Sequence, residues 1–200
     1  MPATTYQIDT AHSHAQFKVR HMMIANVGGE FSKMTGTVIF DPENPSASEV
    51  SATIDVATIN TREMQRDEHL KSNDFFDVAR YPLMKFVSRD IVATGPESFE
   101  MNGDLTIRGV TRPLAVTVED LTAETKDPWG NLRRGACAHA KFSRKSFGLA
   151  WNVALEAGGF LVGDEVEITI DVELIRQTPQ ESTSDSQALK PEEIPGQQVL

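Results

Sequence analysis

The sequence predicts an all-β protein, an antiparallel barrel or sandwich. Three observations carry that expectation. Hydrophobic residues recur mostly with a period of two, the spacing at which side chains share one face of a strand. Turn signals cut the chain into strand-length pieces. One segment also combines strand parity with a run of small residues, which points to a hollow interior.

In chain order, strands are expected at Tyr6–Asp9, Ala15–Met23 and Glu30–Phe40. Val50, Ala52, Ile54 and Val56 then alternate with Ser51, Thr53 and Asp55. One polar interval reads as a short helix. Thr61 can cap it, and Met64 to Lys71 are good helix formers, ending at Ser72-Asn73-Asp74. A strand follows at Leu83–Ala93. Phe99, Met101, Gly103, Leu105 and Ile107 form the next apolar face, and Leu114, Val116 and Val118 another. Near the end, Val166, Ile168, Ile170, Val172 and Leu174 alternate with Glu165, Glu167, Thr169, Asp171 and Glu173. Turns are expected at Asp41–Pro45, Gly95-Pro96, Arg108-Gly109, Asp127–Asn131 and Gly163-Asp164, and the pairs Gly28-Gly29 and Gly158-Gly159 read the same way. Antiparallel sandwiches and barrels have this spacing of strands and turns.

The hollow interior is read from residues 134–144. The even positions are Arg134, Ala136, Ala138, Ala140, Phe142 and Arg144; the odd ones are Gly135, Cys137, His139, Lys141 and Ser143. Small residues on an inward face leave space. An arginine at the end of such a face needs an anionic or hydrogen-bonding partner. This is a binding architecture before it is a catalytic one.

Composition narrows the class. The chain has 200 residues, of which 40% are hydrophobic and 24% charged, as in soluble globular proteins. No apolar run approaches the roughly 20 residues that span a bilayer, so no stable membrane insertion is expected. The first residues resemble no signal peptide, and the chain reads as cytoplasmic. Net charge is −10; Glu181, Asp185, Glu192 and Glu193 against Lys190 give 177–200 a share of −3, leaving −7 for the body. Such a surface disfavours nucleic acid. The stretch 177–200 is expected to be a disordered acidic tail, and 4–176 one domain. Cys137 stands alone, excludes an intrachain disulfide, and reads as a buried small hydrophobe.

Several side chains are candidates for chemistry. His12, His14 and His21 are ligand types for zinc, iron or copper, but parity sets His12 and His14 opposite His21. Parity favours reading His12 and His14 as hydrogen-bonding groups at a strand start, and His21 as a core histidine or a cavity-lining group. Arg144 is either in an internal ion pair, with Asp9 or a helix acid, or in contact with a ligand. Asp67, Glu68, Asp74 and Asp77 suit acid–base work or a solvated helix face. Trp129 and Trp151 read as plugs or rim residues. No nucleophile elbow, phosphate loop or dinucleotide fingerprint occurs.

Taken together, several blocks resemble the YceI-like family of lipocalin-like polyisoprenoid-binding proteins. They are Tyr6–Asp9 with His12-Ser13, Phe17–His21, Gly29–Phe31, and Arg66–Asp77 with Tyr81-Pro82 and Phe86. Gly103–Thr111, Arg144 with Phe147-Gly148, and Val162–Val166 complete the pattern. Ser146 departs from it, since relatives often carry Asp before the Phe-Gly pair. The resemblance implies an elongated antiparallel barrel around a long isoprenoid-type lipid, a homodimer, and no enzyme activity or cofactor. On that reading Phe17, Val19, Ile54, Phe86, Leu105 and Phe142 line the interior. Ala136, Ala138, Ala140 and Gly103 keep it open, and His21 and Arg144 supply polar contacts near the opening. The alternatives are a histidine- or metal-dependent enzyme on a small amphiphile, and a solid-cored β-protein with no small ligand.

Overall fold

The computed structural model describes residues 3–156 and 158–178. Their strands, in chain order, are β1 (Thr4–Ile8), β2 (His14–His21), β3 (Ala25–Phe31), β4 (Met34–Phe40), β5 (Glu49–Asp55) and β6 (Ile59–Asn60). After the helix α1 (Met64–Lys71) come β7 (Leu83–Ala93), β8 (Phe99–Ile107), β9 (Val110–Glu119), β10 (Thr125–Lys126), β11 (Leu132–Ser143) and β12 (Val162–Arg176). All named pairs are antiparallel. Eight strands close a barrel in the order β11-β9-β8-β7-β5-β4-β1-β12, and β12 pairs back onto β11 from Arg133↔Ile175 to Ser143↔Glu165. Closure gives each of those strands a partner on both sides over part of its length.

The long strand β12 organises the rest. On its second edge Leu174 to Arg176 pair with β1, while Val162 to Asp171 pair with β2. The sheet therefore divides there. β1 continues the barrel into β4, whereas β2, β3 and β6 leave as a second leaf. Alternation explains why β12 can serve both. Its even residues point inward; its odd acids point out to cations on neighbouring strands. Glu167 pairs with Lys18 on β2 and Lys141 on β11, and those ammonium groups hold its carboxyl below the usual range.

Three expectations about elements are corrected. The single strand foreseen over Glu30–Phe40 is two, because β3 pairs with β2 in the leaf and β4 with β1 and β5 in the barrel; the chain bends at 32–33 between them. Gly28 and Gly29 form no turn. They lie inside β3, opposite Lys18 and Phe17, and a Cβ on Gly29 would stand 2.6 Å from the Phe17 ring. The turn is instead at Met22 and Met23, both left-handed with φ of 50° and 63°. The helix cap is Glu63, whose carboxylate accepts from the Gln65 and Arg66 amides. Thr61 is held from the helix side, since its amide and hydroxyl both reach Asp67. The foreseen disordered tail falls largely outside the described residues. Among those described, no helix is long and apolar enough to cross a membrane.

Candidate functional site: a cavity between two arginines

The barrel interior is hollow. Inward alternation on every barrel strand gives an apolar wall around a cavity of about 260 Å³. Of the expected lining residues, Phe17, Val19, Ile54, Phe86, Leu105 and Phe142 face it, as do Ala138 and Ala140. Ala136 joins them on the β11 wall. Inward residues such as Ala138, Ile168, Ile170 and Val172 are only half-buried, because they look onto space rather than onto packed neighbours. The packed core is correspondingly split. One cluster is built on Phe31, Met34, Ile107 and Phe147, the other on Ile91, Phe99, Met101 and Val116. His21 ends β2, opposite Ala25 and Val162, and is not among the cavity-lining residues.

Gly103 plays a different part from the one expected. A Cβ there would stand 2.4 Å from the Phe86 ring and 2.5 Å from the Val87 carbonyl. The glycine makes room for Phe86, and Phe86 then lines the cavity; the space is kept by the alanines.

At one end of β11 the strand runs into a 3-10 turn, Arg144–Phe147. Arg144 is 3% exposed and lines the cavity. Neither ion pair foreseen for it forms. Its Nε donates to the Gly163 carbonyl at 2.7 Å, and Nη1 donates to the carbonyls of Leu149 and Trp151. Nη2 donates to Val162 at 3.2 Å. A guanidinium has five N–H groups, and four are spent on backbone carbonyls, of which that of Val162 also accepts from the Asn152 side chain. Burial pulls its pKa down, and Asp164 partly offsets this. Arg144 is thus the fastener of the 149–163 loop. Leu70, Phe75 and Phe76, from α1 and the turns after it, line this end of the cavity. Trp151 packs there against His69 and Phe75, while Trp129 is exposed on its turn.

The other end holds Arg134, which pairs with Leu174 across β11–β12 and also lines the cavity. At about 3.4 Å per residue, the wall from Arg134 to Phe142 runs about 27 Å. The Arg134 guanidinium lies 5.5 Å from the Phe40 ring centroid and 5.9 Å from that of Tyr6. Its Nε is buried without a hydrogen-bond acceptor, and among the described residues it forms no ion pair. A buried donor left unmade costs about 1–3 kcal/mol, more when charged. Tyr6, 2% exposed, donates its hydroxyl to Glu124 at 2.6 Å, and Glu124 also holds Arg176. Burial and Glu124 push the Tyr6 phenol pKa up, while Arg134 pulls it back. Sequence reasoning did not select Arg134, although it shares the parity of the three alanines.

The remaining clusters are structural. Asp9, His12 and Glu173 bring ligand atoms close together, yet the Arg133 guanidinium stands between Asp9 and Glu173, donating to both. Arg133 first, and His12 after it, hold the Asp9 carboxyl at about 2. His14 sits at the start of β2 beside Asp171 and Gln16. Asp67 fastens Thr61, Asp77 is buried in the turn after α1, and Asp74 bonds His69. Cys137 is corrected: it lies on the outer face, half-buried, with its sulfur 3.3 Å from His139. Burial first and Asp171 next push its thiol pKa up, which disfavours the thiolate.

Fold and interior together define a closed, eight-stranded antiparallel barrel with an apolar cavity along its axis. The chain belongs to the YceI-like family, whose model, a YceI-like domain, matches residues 6–174. It is 35% identical over 177 residues to the protein YceI of Escherichia coli O157:H7, covering 88% of each chain. A UPF0312 protein of Photorhabdus laumondii is 34% identical over the same length and coverage. Among solved structures, BcnA of Burkholderia cenocepacia superposes with a TM-score of 0.70 at 24% identity, covering 83% of this chain and 98% of BcnA. A Saccharophagus degradans domain, described as polyisoprenoid-binding and implicated in plant cell wall breakdown, superposes at 0.64 with 14% identity, covering 87% and 99%.

Proposed function

We propose that this protein binds a long-chain isoprenoid-type lipid, polyprenyl or quinone-like, inside the barrel, and stores or carries it without chemical change. One observation carries the reading: a closed barrel whose inward residues are apolar along its strands retains a cavity of about 260 Å³. A barrel of this strand number can be filled by its own side chains. Here three alanines on β11 hold the wall back. Membership of the YceI-like family supports the reading, as does the likeness to the polyisoprenoid-binding Saccharophagus domain.

The energetics suit a chain-like ligand. Each CH₂ taken from water contributes about 0.8 kcal/mol, so a few isoprene units offset the several kcal/mol of lost ligand freedom. Phe17, Val19, Ile54, Phe86, Leu105, Ala138, Ala140 and Phe142 touch the chain in this reading. The proposed assembly is a homodimer, for which sedimentation velocity at micromolar concentration should return twice the chain mass of 22.1 kDa.

Organic extraction of the purified protein followed by lipid mass spectrometry is the direct test. The expected result is a lipid with a long apolar tail in near-stoichiometric amount. Extracts with no such species, together with no uptake of an added polyprenol, would remove the proposal.

A further inference from the structure

We infer that the Arg134 end of the cavity recognises an acidic oxygen head group, a carboxylate or phosphate, on a single long apolar chain whose tail runs along the alanine wall toward α1. The inference rests on the lipid-binding reading and adds to it a head-group class, a residue and a direction.

The two cavity-lining arginines are not equivalent. Arg144 has given four donors to backbone carbonyls, so it has little left for a ligand. Arg134 has aromatic faces beside it, the Tyr6 hydroxyl within reach, an Nε with no acceptor, and no carboxylate partner among the described residues. The acid nearby in the Tyr6 network, Glu124, is engaged by the Tyr6 hydroxyl and by Arg176. Within the Tyr6 network, Glu124 against Arg176 and Arg134 leaves one positive charge. Arginine does not give up its proton, so a neutral or cationic head would leave that charge uncompensated among apolar walls. A carboxylate or phosphate would neutralise it. Nε and one Nη share an edge of the planar fork, and that edge matches two oxygens of either group. In this reading the edge faces the cavity that Arg134 lines. The apolar wall then leads the tail past Ala136, Ala138 and Ala140, away from Arg134.

The test uses the full chain and three ligands of one tail length: tetradecanoate, tetradecyl phosphate and tetradecanol, titrated by calorimetry below their aggregation limits. Wild type should bind both anions about tenfold or more tighter than the alcohol, the range expected for hydrogen bonds to a charged group. Arg134→Gln should bring the anion-to-alcohol ratio to near one, Arg134→Lys should keep most of it, and alcohol affinity should stay within about twofold throughout. Arg134→Met, which keeps the stem and loses the fork, replaces the glutamine variant if that one does not fold. A ratio that survives in Arg134→Gln or Arg134→Met overturns the inference. Equal binding of all three ligands by wild type overturns it too and leaves the lipid-binding reading intact. If none of the three binds, the inference falls, and extraction with polyprenol uptake decides the lipid-binding reading separately.

Discussion

Arg133 and Arg134 are neighbours on β11, and their surroundings are opposite. Arg133 points outward and meets three carboxylates, those of Asp9, Asp127 and Glu173. Arg134 points inward and meets two aromatic rings and an unmade hydrogen bond. Farther along, Arg144 is as buried as a charge can be, yet backbone carbonyls satisfy it. Burial and charge alone therefore do not mark a binding residue. What separates the three is how many donors the protein has already used.

The sharpest way to break this comparison is to remove each cavity arginine's fork. Arg144→Met should cost at least about 3 kcal/mol in urea unfolding, since it removes the guanidinium donors to the carbonyls of Leu149, Trp151 and Gly163 in a buried site. Arg134→Met should cost less than about 1 kcal/mol or stabilise, because it replaces an under-satisfied charge with an apolar stem of similar length. Equal losses would mean that both arginines are structural.

Space is the second contrast. Gly103→Ala should lose about 1–3 kcal/mol, as the new methyl meets the Phe86 ring and the Val87 carbonyl. Ala138→Leu projects into the cavity instead of into packed neighbours, so its unfolding midpoint should shift less than that of Gly103→Ala. Its lipid recovered by extraction should fall. A large loss of stability in Ala138→Leu would mean that the alanine wall is already packed.

The smallest effect concerns pH. Arg133 and His12 depress the Asp9 carboxyl from 3.8 to about 2. A depressed acid stabilises fully above its unfolded value, and that contribution fades as pH falls from about 4 toward 2. Arg133→Gln should shrink this acid-limb slope in the unfolding curve, His12 keeping the rest, whereas Arg134→Gln should leave it in place. Unchanged slopes in both variants would take Arg133 out of the acid response.

Much of this was legible in the chain because period two survives tertiary context. The alternation of 166–174 and the parity of 134–142 give the wall of the cavity directly. The partners of Arg144 were not legible, since they are carbonyls, which no residue type encodes. The break at 32–33 was hidden because it separates two leaves rather than marking a turn, and the Met22–Met23 turn carries no glycine. Gly29 and Gly103 were misread because a glycine that seats an aromatic ring looks in sequence like one that bends a chain or widens a space.

The divided edge of β12 has a consequence for biosynthesis. Among the described residues β1 and β2 come first in the chain, but each has one of its two neighbours in β12, which comes last. On a ribosome they must wait for nearly the whole chain, with half their hydrogen-bonding groups unclaimed. Late, distant pairing of this kind slows folding and leaves bare strands open to stray association. Cellular yield should therefore depend on how well the nascent chain is shielded until its last strand emerges.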